Sequence, residues 1–184
     1  MWIFITIYTL WISSEVFLSA SRRSAKPDSG TDKGSLKLIW IIIVFANALA
    51  YSIAQQMPLP ISTNPAIGYV GLALIVIGMI FRFASIAALG KFFTVNVTIL
   101  EDHKLKQDGF YKYVRHPSYS AALLSFVGYG VSLNNWISLA IVTIAASTVF
   151  LVRIGIEERA LTNHFGEEYI KYKKKTKRLI PFVY

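Results

Sequence analysis

The sequence predicts an all-α fold: an integral membrane bundle of five transmembrane helices with its C-terminal region on the cytoplasmic side. Three observations predict it. Of the 184 residues, 54% are hydrophobic and 16% charged, a balance displaced from that of soluble domains. The apolar residues gather into stretches that approach the roughly 20 needed to cross a hydrocarbon layer with every backbone group satisfied inside the segment. The nineteen Lys and Arg residues fall on alternate connections: five from Arg22 to Lys37, none from Gln55 to Pro65, six from Arg82 to Arg115, none at Asn134-Asn135 and eight from Arg153 to Arg178. By the positive-inside rule the N-terminus is outside, the C-terminus is cytoplasmic, and five crossings connect them.

Trp2 to Leu18 is apolar apart from Thr, Ser and Glu15, and without a positive n-region it is expected to be a retained first span rather than a signal peptide. Ser21 to Lys37 is polar, with Ser, Gly, Pro and Asp among basic residues, and reads as a flexible loop. Leu38 to Ala54 is the second span. Pro58, Pro60 and Pro65 make the uncharged stretch that follows a turn. Ala66 to Leu89 is the third span, with Arg82 near one end, where a long side chain can snorkel to the interface.

Gly90 to Pro117 is too polar to cross, Ser118 to Leu133 and Trp136 to Val152 are apolar, and the Asn pair between them makes a helical hairpin of two slightly short spans. The chain is expected to be one membrane domain, 1–184, with three N-terminal spans in 1–89 and a functional half in 90–184. Gly71, Gly78, Gly128 and Gly130 read as close-packing positions between helices.

The net charge of +9 is assigned to a cytoplasmic rim and not to a nucleic-acid partner, because the basic residues sit on membrane-flanking segments. The absence of cysteine excludes disulfides, thiolate zinc sites, iron–sulfur clusters and thiol nucleophiles. No metal site is expected, since His103 and His116 lack the spacing of a helical ligand pair. The run from Lys171 to Arg178 suits anionic headgroups of membrane lipids.

The two large cytoplasmic segments hold all three histidines, His103, His116 and His164. The first ends in Arg115-His116-Pro117-Ser118-Tyr119, where the proline can open a helix whose N-terminus offers unpaired N–H groups to an anion. In the second, Arg153 and Glu157 lie one helical turn apart on one face, and Glu158 points elsewhere.

Gly90-Lys91-Phe92-Phe93-Thr94, His103-Lys104-Leu105-Lys106, Gly109-Phe110-Tyr111, Arg115 to Tyr119, Arg153 with Glu157-Glu158, Phe165-Gly166-Glu167-Glu168-Tyr169 and Leu179-Ile180-Pro181 together resemble the isoprenylcysteine carboxyl methyltransferase family, and more loosely the phospholipid and phosphatidylethanolamine methyltransferases. The resemblance covers Leu89 to the C-terminus. It implies S-adenosylmethionine as cofactor, in a pocket lined by His103, Lys104, Leu105, Lys106, Tyr111, His116, Pro117, Ser118 and Tyr119. It further implies that Glu157 binds the cofactor and that Arg153 faces the methyl acceptor, so that these two carry catalysis. Ser120-Ala121 departs from the family, where glycine commonly holds the second position.

Methyl transfer from a sulfonium neutralises charge, so aligning the reactants and excluding water can do most of the work. A carboxylate acceptor is already ionised and suits the fork of Arg153, whereas an amine needs a base, for which His116 or Glu157 is the candidate. The acceptor is expected to be lipid-like and to reach Arg153 through a lateral opening. An NADPH-dependent membrane sterol or enone reductase is a second possibility, because those enzymes are similar near Arg-His-Pro-x-Tyr and Gly-Glu-x-Tyr stretches.

Overall fold

The computed structural model describes residues 2–21, 35–93 and 104–180. Six α-helices follow one another: α1 (Trp2–Ser21), α2 (Ser35–Gln56), α3 (Ile67–Leu89), α4 (Pro117–Ser132), α5 (Trp136–Phe165) and α6 (Glu167–Lys175), with short 3-10 turns at Gly90–Phe92 and Gly109–Lys112. Among the described residues the only extended pairing is an isolated bridge between Val114 and Lys177.

α1, α2, α3 and α5 are each long and apolar enough to cross a membrane. The chain is therefore an all-helical integral membrane protein. The expected span Ser118 to Leu133 appears as α4, which at 16 residues is about 24 Å long and short of the roughly 30 Å hydrocarbon layer. It packs along both α3 and α5. The helix runs on past the apolar stretch that ends at Val152: α5 is 30 residues in all, about 45 Å, and its second half carries Arg153, Glu157 and Glu158.

Glycines set the α3–α4 contact. A Cβ on Gly128 would lie 2.7 Å from the Gly71 carbonyl and 2.8 Å from the Ile75 nitrogen, and one on Gly78 would lie 2.7 Å from the Ala121 carbonyl. Only backbone fits there, so the two helices approach as closely as small-residue membrane interfaces allow. Trp11, Ile43, Leu72, Ile75, Phe126 and Val142 belong to one buried cluster spanning the bundle, and Trp11 of α1 meets Phe126 of α4 edge-on at 5.0 Å.

The two uncharged connections are tied together at one end of the bundle. Asn134, at φ 49°, accepts from the backbone nitrogens of Ile61 and Ser62, both at 3.0 Å. Asn135 caps α5 by accepting from the Ser138 nitrogen and donates to the Met57 carbonyl at 2.7 Å. The Asn pair is thus more than a turn between short helices. It also staples the proline-rich link between α2 and α3. The start of α4, the end of α3 and the C-terminal segment meet at the opposite end.

α1 packs on α3 and α2 packs on α5, while α1 and α2 make little contact with each other. Between those two helices lies a cavity floored by α4 and α5.

Candidate active site

Pro117 starts α4 at its first turn, where its missing N–H costs nothing. His116 precedes it at the N-cap position, with φ −124° and ψ 57°, and its ring does not cap the helix. The imidazole turns instead toward α5. It is 6% exposed, with Nδ1 3.5 Å from Glu157 Oε2 and Nε2 3.3 Å from Glu158 Oε1. Burial pulls its pKa down, but hydrogen bonds with Glu157 and Glu158 outweigh that effect and hold it above the ordinary 6.5.

One turn into α4, the Tyr119 hydroxyl donates to Glu157 Oε1 at 2.6 Å. Arg153 Nε lies 3.9 Å from the same oxygen, and the Arg153 residue is 2% exposed. The structure therefore brings together His116, Tyr119, Arg153 and Glu157, four of the residues singled out from the sequence.

The others are placed differently. Tyr111 is buried with its hydroxyl donating to the Ser85 carbonyl at 3.2 Å, and its own carbonyl accepts from Tyr172 at 2.6 Å. Lys104 is exposed, Leu105 and Lys106 are half-buried, and Lys106 pairs with Asp108 at 2.9 Å. Ser118 accepts from Arg82 through both its carbonyl, at 3.0 Å, and its hydroxyl, at 3.1 Å. His103 lies outside the described residues, as do Thr94 and Pro181.

Glu158 was expected to point away from the site, and it does not stay idle. It is 4% exposed and receives Arg115 Nε at 2.9 Å, Arg178 Nη2 at 3.0 Å and Lys173 Nζ at 3.7 Å, besides His116. Arg115 also donates to the carbonyls of Lys173 and Thr176. Backbone hydrogen bonds from Arg115 to Lys177, from His116 to Arg178 and from Lys177 to Tyr113 lay the C-terminal segment along the approach to α4. Arg115 and Arg178 thus hold the segment that backs the site. Nothing local in a basic run marks Arg178 as different from its neighbours.

Arg82 corrects a second expectation. It turns inward instead of snorkelling, with Nε 2.6 Å from Glu15 Oε1 and Nη2 donating to Glu15 Oε2 at 2.8 Å. Two charges placed inside otherwise apolar stretches were the sequence signal for this pair, because such charges seldom occur without a partner.

Glu15, Arg82, Ser118, Tyr119, Arg153 and Glu157 share one end of the cavity between α1 and α2. Its volume is about 350 Å³, and Trp11, Ile39, Ile43, Ala122, Phe126 and Phe150 wall most of its length. A site charged at one end and apolar beyond it can hold an amphiphile by its head.

The family model of the isoprenylcysteine carboxyl methyltransferase (ICMT) family matches residues 71–163, from α3 through the Arg153–Glu158 stretch of α5. A probable protein-S-isoprenylcysteine O-methyltransferase of Oryza sativa subsp. indica is 29% identical, over 99% of this chain and 96% of the rice protein. Protein-S-isoprenylcysteine O-methyltransferase B of Arabidopsis thaliana is 37% identical over 115 residues, 61% of this chain and 58% of that protein. The structure of the eukaryotic intramembrane Ras methyltransferase, an isoprenylcysteine carboxyl methyltransferase, shares the fold, with a TM-score of 0.64 at 22% identity over 97% of this chain and 67% of that one. A family match spanning half the chain and taking in both charged turns of α5 means that this protein belongs to the isoprenylcysteine carboxyl methyltransferase family and is a membrane methyltransferase.

Proposed function

We propose that this chain transfers a methyl group from S-adenosylmethionine to the carboxylate of a prenylated cysteine that enters from the membrane. The observation that carries the proposal is the polarity of the cavity. Its apolar length, between two helices that barely touch, ends at Arg153 and Glu157. A lipid chain fits the first part, and an anionic head fits the second.

S-adenosylmethionine, when bound, supplies an electrophilic methyl on a sulfonium sulfur together with an amine and a carboxylate. The residues present suit such a group, since Glu157 offers a carboxylate held by Tyr119, and His116 and the Arg153 guanidinium lie beside it. Glu157 would hold the cationic side of the donor. By the family resemblance, His103, Lys104, Leu105, Lys106, Tyr111, His116, Pro117, Ser118 and Tyr119 would line the rest of the donor pocket. Arg153, nearly sealed from solvent, would hold the acceptor carboxylate where screening by water is weak.

A carboxylate acceptor is already ionised and needs no base, whereas an amine does. Alignment and water exclusion then suffice as the means of catalysis.

The proposal takes α4 as a crossing, giving five, with the N-terminus outside and the site on the cytoplasmic side. Its support is that the two connections without Lys or Arg meet at one end of the bundle, whereas the start of α4 and the basic C-terminal segment meet at the other.

The test is incubation of the purified protein with radiolabelled donor and N-acetyl-S-farnesylcysteine. A base-labile methyl ester is expected, together with saturable binding of S-adenosylhomocysteine and not of NADPH. Absence of the ester, or saturable NADPH binding, would reject the proposal.

A further inference from the structure

The cavity between α1 and α2 ends differently at its two extremes. Its lining on α4 begins at Ser118, beside the charged groups, and finishes at Tyr129. Between those two residues the helix rises about 16 Å. On α2 the lining runs from Leu36 to Asn47, and on α1 from Ser19 back to Tyr8. Among the described residues it therefore stops, toward the Asn134-Asn135 end of the bundle, at Tyr8, Asn47 and Tyr129.

That stop is built from cross-helix bonds. Tyr129 reaches from α4 and donates its hydroxyl to the Asn47 carbonyl of α2 at 3.3 Å. The Tyr8 ring of α1 meets the Tyr129 ring edge-on, with centroids 5.3 Å apart, and the Tyr8 hydroxyl lies 2.6 Å from Ser132 Oγ. Ser132 gives its own proton to the Tyr129 carbonyl, so Tyr8 is the donor in that pair. Two helices that make little contact with each other are thus joined through α4 at this level.

A lipid chain gains little hydrophobic energy by leaving the bilayer for an apolar cavity, because lipid tails are equally apolar. What it gains is van der Waals fit. A chain too short leaves a void above the floor. A chain too long must turn out between α1 and α2 or displace Tyr129, and displacement strands a hydroxyl in apolar surroundings. At ordinary carbon–carbon bond lengths an extended isoprene unit advances about 5 Å, so about three units span the distance from Ser118 to Tyr129.

We infer that Tyr129, braced by Tyr8 and by the α2 backbone at Asn47, is a specificity-determining residue that sets the length of the acceptor chain, a farnesyl group being the longest that lies wholly inside. This rests on the reading of the cavity as the acceptor site. The ring supplies the stop, and the two hydroxyl contacts fix its position.

The experiment uses the full chain in lipid nanodiscs, as wild type, Tyr129→Ala, Tyr129→Phe and Ile43→Trp. Equilibrium binding is measured for N-acetylcysteine carrying S-geranyl, S-farnesyl or S-geranylgeranyl chains, each referred to its concentration in the bilayer, together with kcat/KM for ester formation. The wild type is expected to bind the farnesyl compound at least threefold more tightly than either of the others. Tyr129→Ala is expected to raise geranylgeranyl affinity relative to farnesyl at least threefold, whereas Tyr129→Phe, which keeps the ring, retains the wild-type order. Ile43 lines the cavity about one turn nearer the charged end, and Ile43→Trp is expected to move the optimum to geranyl. S-adenosylhomocysteine affinity, expected to stay constant, reports intact folding. If Tyr129→Ala fails to fold, Tyr129→Leu takes its place with the same expected direction. The same chain-length order in wild type, the opened variant and Ile43→Trp, or an equal shift in Tyr129→Phe, would overturn the inference. A wild type that binds the series in the expected order but forms no ester would reject the proposed reaction and leave the floor standing, while one that binds no member of the series would reject both.

Discussion

Glu157 and Glu158 are neighbours on α5, yet they belong to regions built on opposite terms. The Glu157 carboxylate keeps 23% of its side chain accessible and meets Tyr119 at 2.6 Å, with His116 at 3.5 Å and Arg153 at 3.9 Å. The Glu158 carboxylate is sealed at 5%, and Arg115, Arg178, Lys173 and His116 converge on it. Successive residues on a helix point about 100° apart. One of the pair faces the cavity and the other faces the C-terminal segment. The contrast teaches how a small membrane enzyme separates tasks: a charge kept accessible can serve chemistry, and a charge surrounded by cations serves assembly. His116 touches both carboxylates and couples the two regions.

The largest expected effect falls on the assembly side. Glu158→Ala strands several cations and is expected to cost about 3–5 kcal/mol of stability, the range for breaking a buried ion pair, whereas Glu157→Ala is expected to cost about 1 kcal/mol or less. Thermal unfolding in one detergent checks both, and equal losses would erase the contrast. Next, Glu157→Gln is expected to lower methyl transfer about 100-fold, equivalent to about 2.7 kcal/mol, with its melting temperature nearly unchanged. Retained turnover would remove Glu157 from the proposed chemistry.

A smaller effect belongs to Tyr119→Phe, which deletes the hydrogen bond to Glu157 and is expected to cost about 1–2 kcal/mol, read as a roughly tenfold loss of turnover with stability conserved. The smallest concerns His116. Its folded pKa is raised above 6.5, so its contribution to stability is complete below that value and is lost as pH rises through the higher folded value. Melting temperature measured from pH 6 to 9 is expected to fall less steeply above 6.5 in His116→Gln than in the wild type. Parallel curves would show that His116 does not couple the two regions electrostatically.

Much of this was legible in the sequence. Trp2 to Leu18 and Leu38 to Ala54 lie inside α1 and α2, and Ala66 to Leu89 exceeds α3 by one residue, because a long, mostly apolar stretch with helical propensity has few other outcomes. The Pro117 start of α4 and the Asn134-Asn135 break were equally local. Arg153 and Glu157 could be placed on one face by their spacing, and the motif around His116 supplied the segment they would meet. Length was a good guide for α4, whose 16 residues equal the apolar run one position along, and a weaker one for α5, which extends well beyond its apolar run.

The sequence by itself determined where the membrane-crossing segments run and which short motifs carry charge into them, because hydropathy and helical spacing act over a few turns of chain. Only the tertiary structure decided who pairs with whom. Arg82 turns inward because α1, 67 positions earlier, brings Glu15 within reach, and Glu158 becomes a hub because the C-terminal segment returns across Tyr113 to His116. Such partners are distant along the chain, and the energy of a charge in an apolar surrounding depends on the partner that packing places beside it.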